Sequence, residues 1–158
     1  MIFRRENYLD QFKNREIVAK ITIHHGKVKY KSNRLINWKS LNKKEQVNLE
    51  NKDQVFTEAN SDAIISFDNS SKIKLDQETL IRISKDGDEA IVDMLQGILD
   101  LSAINGSFKI RSGKQVIRLR RLSNSPIVIE RRGDKIQIYG KDISIEKENP
   151  SEVINKFE

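Results

Sequence analysis

Apolar and polar residues alternate one for one through most of this chain, and turn-forming Gly, Asn, Asp or Ser breaks the alternation every few residues. Ile17, Ala19, Ile21 and Ile23 alternate with Val18, Lys20, Thr22 and His24 before Gly26; Val28 and Tyr30 then alternate with Lys27, Lys29 and Lys31. Neighbouring side chains of a strand point to opposite faces, so a period of two marks strands with one face turned to a core. The residue type agrees, because the chain holds 22 isoleucines and β-branched side chains favour strands.

The first alternating pair reads as a hairpin that turns at His25-Gly26. Further strands are expected over 54–57, 63–67, 72–75, 80–84, 90–101, 107–111, 115–120, 126–131, 135–139 and 142–147. The gaps carry turn chemistry in Asp68-Asn69-Ser70, Asp86-Gly87, Asn105-Gly106, Ser112-Gly113, Gly133-Asp134 and Gly140. Gly97 lies inside an apolar run, where a bulge or a close backbone approach is expected. Tyr8, Leu9 and Phe12 suit one face of a short helix, which makes 1–16 a helical arm, 17–147 a β domain and 148–158 a tail. The expectation is one all-β domain of about ten short strands, sandwich-like or roll-like, with short terminal helices. No apolar run approaches the roughly 18 residues of a spanning helix. With Cys 0, disulfides, thiolate metal sites and cysteine catalysis are excluded.

Charge is distributed in blocks. Residues 1–45 carry 12 Lys/Arg against 4 Asp/Glu, 46–106 carry 5 against 12, and 107–145 carry 10 against 3. Either the acidic middle compensates the basic ends within the fold, or a basic face is offered to a polyanion. Lys109 and Arg111 alternate with Phe108 and Ile110, and Arg118 and Arg120 alternate with Ile117 and Leu119. All four cations therefore share one face, a candidate site for an anionic glycan or lipid surface. Nucleic acid is disfavoured, since that face offers no aromatic platform on which bases could stack.

Little in the chain points to catalysis. His24 and His25 are the two histidines and are neighbours, so a strand directs them to opposite faces and they make a poor metal pair. Asp86, Asp88 and Glu89 crowd one turn, but the stretch is too short and too interrupted by Lys85 for a calcium loop. Arg132-Gly133-Asp134 matches an integrin-binding tripeptide at a place where a hairpin needs Gly and Asp in any case. The chain reads as a non-enzyme without metal or cofactor.

Gly26-Lys27-Val28, Trp38, Leu41, Val47, Leu49, Asp53-Gln54-Val55 and Thr57 stand in an ordered series. Ala63 to Ser70, Leu75, Thr79 to Ile83 and Ala90 to Leu99 with Gly97 continue it. In order and spacing, residues 17–101 resemble the FecR domain. Lys52 and Asn69 stand where that family usually has Gly, and its downstream Arg-Gly-Thr signature is absent. The resemblance implies a scaffold in which Trp38, Val55, Phe67, Leu75 and Ile83 supply core, while Asp53, Asp68, Ser70 and Gly97 set turns. It also implies a periplasmic module that relays a signal or binds a protein partner in the bacterial envelope, such as an outer-membrane transporter or an envelope assembly. Phe3-Arg4-Arg5-Glu6 leads into a polar stretch rather than a signal-peptide core. The chain is therefore expected to belong to a longer, membrane-anchored protein whose anchor lies outside it, the alternative being a cytoplasmic protein.

Overall fold

The computed structural model describes residues 16–148 except 88 and 106. Among the described residues every regular element is a strand, fourteen in all. They are β1 (Ile17–His25), β2 (Val28–Lys31), β3 (Lys39–Ser40), β4 (Gln46–Glu50), β5 (Gln54–Thr57), β6 (Asp62–Ser66) and β7 (Lys72–Leu75). Then follow β8 (Leu80–Asp86), β9 (Glu89–Ala103), β10 (Ser107–Ser112), β11 (Gln115–Arg121), β12 (Ile127–Arg132), β13 (Lys135–Gly140) and β14 (Ile143–Glu148). The class is all-β, as the alternation requires, but the count exceeds about ten. β3 and β4 were not expected, because too few apolar residues alternate there to register as strands. The helical arm expected over 1–16 lies, Glu16 apart, outside the described residues, and so does the tail from 149.

The hairpin expected at His25-Gly26 does not form. β1 pairs with β4 and β6, whereas β2 pairs with β3 and β5. Gly26, at φ +81°, therefore bends one ribbon instead of reversing it. β5 with β6 makes a second bent ribbon and β7 with β8 a third; β9 alone, 15 residues long, makes a fourth, bent at Gly97. These ribbons run antiparallel side by side through both halves of a single curled sheet. One half has the order β4-β1-β6-β7-β9-β12-β13 and the other β3-β2-β5-β8-β9-β10-β11-β14.

The corners carry much of the polar detail. Asn60 and Glu78 take left-handed conformations, φ +57° and +52°, each just before a buried hydroxyl residue, Ser61 or Thr79. Each hydroxyl lies against the glycine of the neighbouring ribbon. A Cβ on Gly26 would stand 2.8 Å from Ser61 Cα, and one on Gly97 2.5 Å from Thr79 Cα. The close approach expected at Gly97 is thus present. Ser61 Oγ accepts from Lys27 N at 2.8 Å. Thr79 Oγ1 accepts from Ile98 N at 3.1 Å, and Thr57 Oγ1 accepts from Thr79 N at 3.0 Å. These hydroxyls satisfy backbone groups that the bends remove from the ladder.

Folding the sheet on itself brings both halves onto one core. Ile21, Leu49, Ile65, Ile73 and Leu99 come from one half, and Val55, Ile81, Ile83, Met94 and Ile110 from the other. Phe67 and Phe108 meet edge to face across the open mouth, their centroids 4.9 Å apart. β10 runs parallel to β9 although three residues separate them. A parallel neighbour normally needs a long crossover; here β9 is its own crossover, since it ends in the half of the sheet opposite to where it began.

Candidate functional site

The basic comb on β10 and β11 forms with the expected geometry. Phe108, Ile110, Ile117 and Leu119 are buried, and Lys109, Arg111, Arg118 and Arg120 lie on the other face, with Lys109 directly opposite Arg118. The same face also presents carboxylates from the acidic middle. Arg111 grips Asp93 through both Nε and Nη2, the latter at 2.8 Å from Oδ2. That hydrogen bonding outweighs desolvation and raises the arginine's already high pKa, so Arg111 stays cationic. Arg118 Nη1 donates to Glu89 Oε2 at 3.0 Å, and Lys109 Nζ stands 3.9 Å from Asp86 Oδ2. Arg120 is exposed and, among the described residues, holds no carboxylate. Three of the four cations therefore already have anionic partners.

His24 and His25 are both exposed at the end of β1. His24 Nδ1 lies 3.0 Å from Asp62 Oδ2, and Lys74 Nζ is 3.3 Å from the same oxygen. Burial alone would raise the Asp62 carboxyl; the hydrogen bonds and charges of His24 and Lys74 outweigh it and hold the group below the ordinary carboxylate value. This is a cross-strand ion cluster on the outer face of three adjacent ribbons. Among the described residues, no three His, Cys, Asp or Glu side chains gather as metal ligands do. The Arg-Gly-Asp tripeptide is the β12–β13 turn, with Gly133 at φ +61°.

Two surfaces escaped the sequence reading. The first is the loop from β2 to β4. Trp38, expected in the core, is 40% exposed, and Ile36 is 89% exposed. β3 is two residues long and ends its half of the sheet, so among the described residues no strand covers the loop that leads to it. Leaving a side chain like Ile36 in water forgoes roughly 1.5–3 kcal/mol of burial. The sequence signal was an apolar Leu35-Ile36-Asn37-Trp38 run flanked by Lys and Arg without turn-to-turn alternation. The second surface is the opposite end of the sheet. There β13 pairs with β12 alone and β14 with β11 alone, so each shows a free edge among the described residues. Ile136, Ile138 and Ile143 between them are half-buried, and Ile145 is 43% exposed. Complete strand alternation in both segments concealed this, because alternation says which face is apolar and not whether anything covers it.

A cleft of about 570 Å³ also opens at the mouth of the folded sheet, between Ile17, Val18, Phe67, Glu89, Ala90 and Phe108. The molecule thus belongs to the class of all-β proteins built on one curled, largely antiparallel sheet. Comparison of the chain with protein-family models, curated proteins and solved structures finds no match in any of the three.

Proposed function

We propose that this chain is a non-catalytic module of the bacterial envelope, akin to the FecR domain, which relays a signal or binds a partner through protein contacts in the periplasm. The observation that carries the reading is the β13/β14 end of the sheet. Two strand edges whose backbone groups are unpaired among the described residues flank a row of incompletely covered isoleucines, and a partner chain that adds a strand there would satisfy both. The residues that carry the resemblance support a scaffold role. Gly26, Thr57, Thr79 and Gly97 build the corners, and Asp53 anchors a loop by accepting from Asn33 N and Glu50 N at 2.9 and 2.8 Å.

An anionic glycan or lipid surface reached through Lys109, Arg111, Arg118 and Arg120 draws less from the geometry, since only Arg120 there lacks a carboxylate among the described residues.

Photo-crosslinking in native cells tests the proposal. A crosslinker at Tyr139, 51% exposed on β13, should give an adduct with one envelope protein. The adduct should disappear in an Ile145→Asp background, and protease added to spheroplasts should cut the protein. A protected, soluble protein, or an adduct indifferent to Ile145→Asp, would overturn the reading.

A further inference from the structure

The loop between β2 and β4 is held firmly at its feet and bare at its tip. Asn33 N donates to the buried Asp53 at 2.9 Å, and Leu41, itself buried, donates its N–H to Val28 O at 2.9 Å. Between these anchors Leu35, Ile36 and Trp38 are exposed by 46, 89 and 40%. Arg34, Lys39, Lys43 and Lys44 flank them, all exposed and, among the described residues, without a carboxylate partner. Glu45 is the one acidic residue from 33 to 46.

We propose that this loop docks the protein on an anionic bilayer surface, with Leu35, Ile36 and Trp38 entering the headgroup–acyl boundary and the four cations facing acidic lipid. The chemistry matches at each point. Indole rings settle at the headgroup level, and branched aliphatic tips favour the acyl boundary. Lysines near an anionic surface add attraction without any fixed register. A protein partner would instead require shaped pockets and opposed carboxylates set at defined positions, and a flank of flexible cations of one sign specifies none. The surface is distinct from the β13/β14 end: β3 and β14 are the two outermost strands of the same half of the sheet.

Trp38 is the chain's single tryptophan, so its emission reports on this loop alone. The full chain is mixed with vesicles of phosphatidylcholine containing phosphatidylglycerol, and with pure phosphatidylcholine. Sedimentation with the anionic vesicles is expected, with a blue shift of Trp38 emission and weakening as salt is raised. Ile36→Asp should abolish the shift, and Lys39→Glu/Lys43→Glu/Lys44→Glu should weaken binding by about a hundredfold or more. All these side chains are exposed, and an unchanged thermal melt checks that each variant folds. Ile145→Asp should leave vesicle binding intact, so this proposal and the protein-contact reading fail separately. Equal binding to neutral vesicles, no binding to anionic ones, or indifference to both loop variants would overturn the proposal. A loop that serves a protein partner would give the second of these results.

Discussion

Lys52 sits where the chain turns between β4 and β5 at φ +72°, a left-handed conformation that crowds any Cβ. Its N–H donates to Ile83 O at 2.6 Å, and Asp53 beside it closes the turn through Glu50, so the surroundings hold the backbone there. Lys52→Gly should therefore stabilise the fold by about 1 kcal/mol, as relief of strain exceeds the extra freedom of the unfolded chain. Urea unfolding measures it, and a loss of stability would mean that the Lys52 side chain makes a contribution larger than the strain. Asp53 and Lys52 show how far single residues were legible. The turn at Asp53 was expected only through the resemblance, and the buried carboxylate's second acceptance, from Asn33 in a separate loop, depends on a contact that no local pattern encodes.

β9 shows what an element adds. Its first part pairs with β8 and β10, its last part with β7 and β12, and the change occurs at Gly97, where φ is +105°. Gly97→Ala would set a Cβ 2.5 Å from the backbone of Thr79, in a conformation that L side chains rarely adopt. A loss of about 3 kcal/mol or more is expected, strain and collision together. Gly113→Ala in the β10–β11 turn, at φ +60° with nothing within 4 Å of the added Cβ, should cost only about 1 kcal/mol. Equal losses in denaturant melts would refute the role of Gly97 as the bend between the halves. The interruption of an apolar run was readable in the sequence. Gly26 likewise reads as a hairpin tip in the sequence and is a bend in the fold, because a glycine after an alternating run looks alike whether the chain reverses or bends. Only the partners of β1 and β2 distinguish the two.

Across the whole molecule, the folded sheet sorts the basic residues into two populations. Lys109, Arg111 and Arg118 of β10 and β11 are met by Asp86, Asp93 and Glu89 on the neighbouring ribbons, so part of the acidic middle compensates one basic end. Those around β3 find no such partners among the described residues. Charge reversal separates the populations. Arg118→Glu, which places a second carboxylate beside half-buried Glu89, should lower stability by about 1–2 kcal/mol. Lys43→Glu with Lys44→Glu should stay within about 0.5 kcal/mol of the parent. Comparable shifts in unfolding midpoint would show that the two ends are not electrostatically distinct.

The all-β class, most strand positions and the turns at Asp68-Asn69-Ser70, Asp86-Gly87, Ser112-Gly113 and Gly133-Asp134 follow from the sequence alone, because alternation and turn chemistry act between residues adjacent in the chain. The face shared by Lys109, Arg111, Arg118 and Arg120 follows for the same reason. Which strands pair, that four ribbons bend rather than reverse, and that Trp38 and Ile36 lie in the open were decided only by the tertiary structure. So was the division of the cations into those met by carboxylates and those that, among the described residues, are not. Burial and charge compensation depend on what lies across the sheet, and residues 18 to 38 positions apart in the chain meet there only once it has folded.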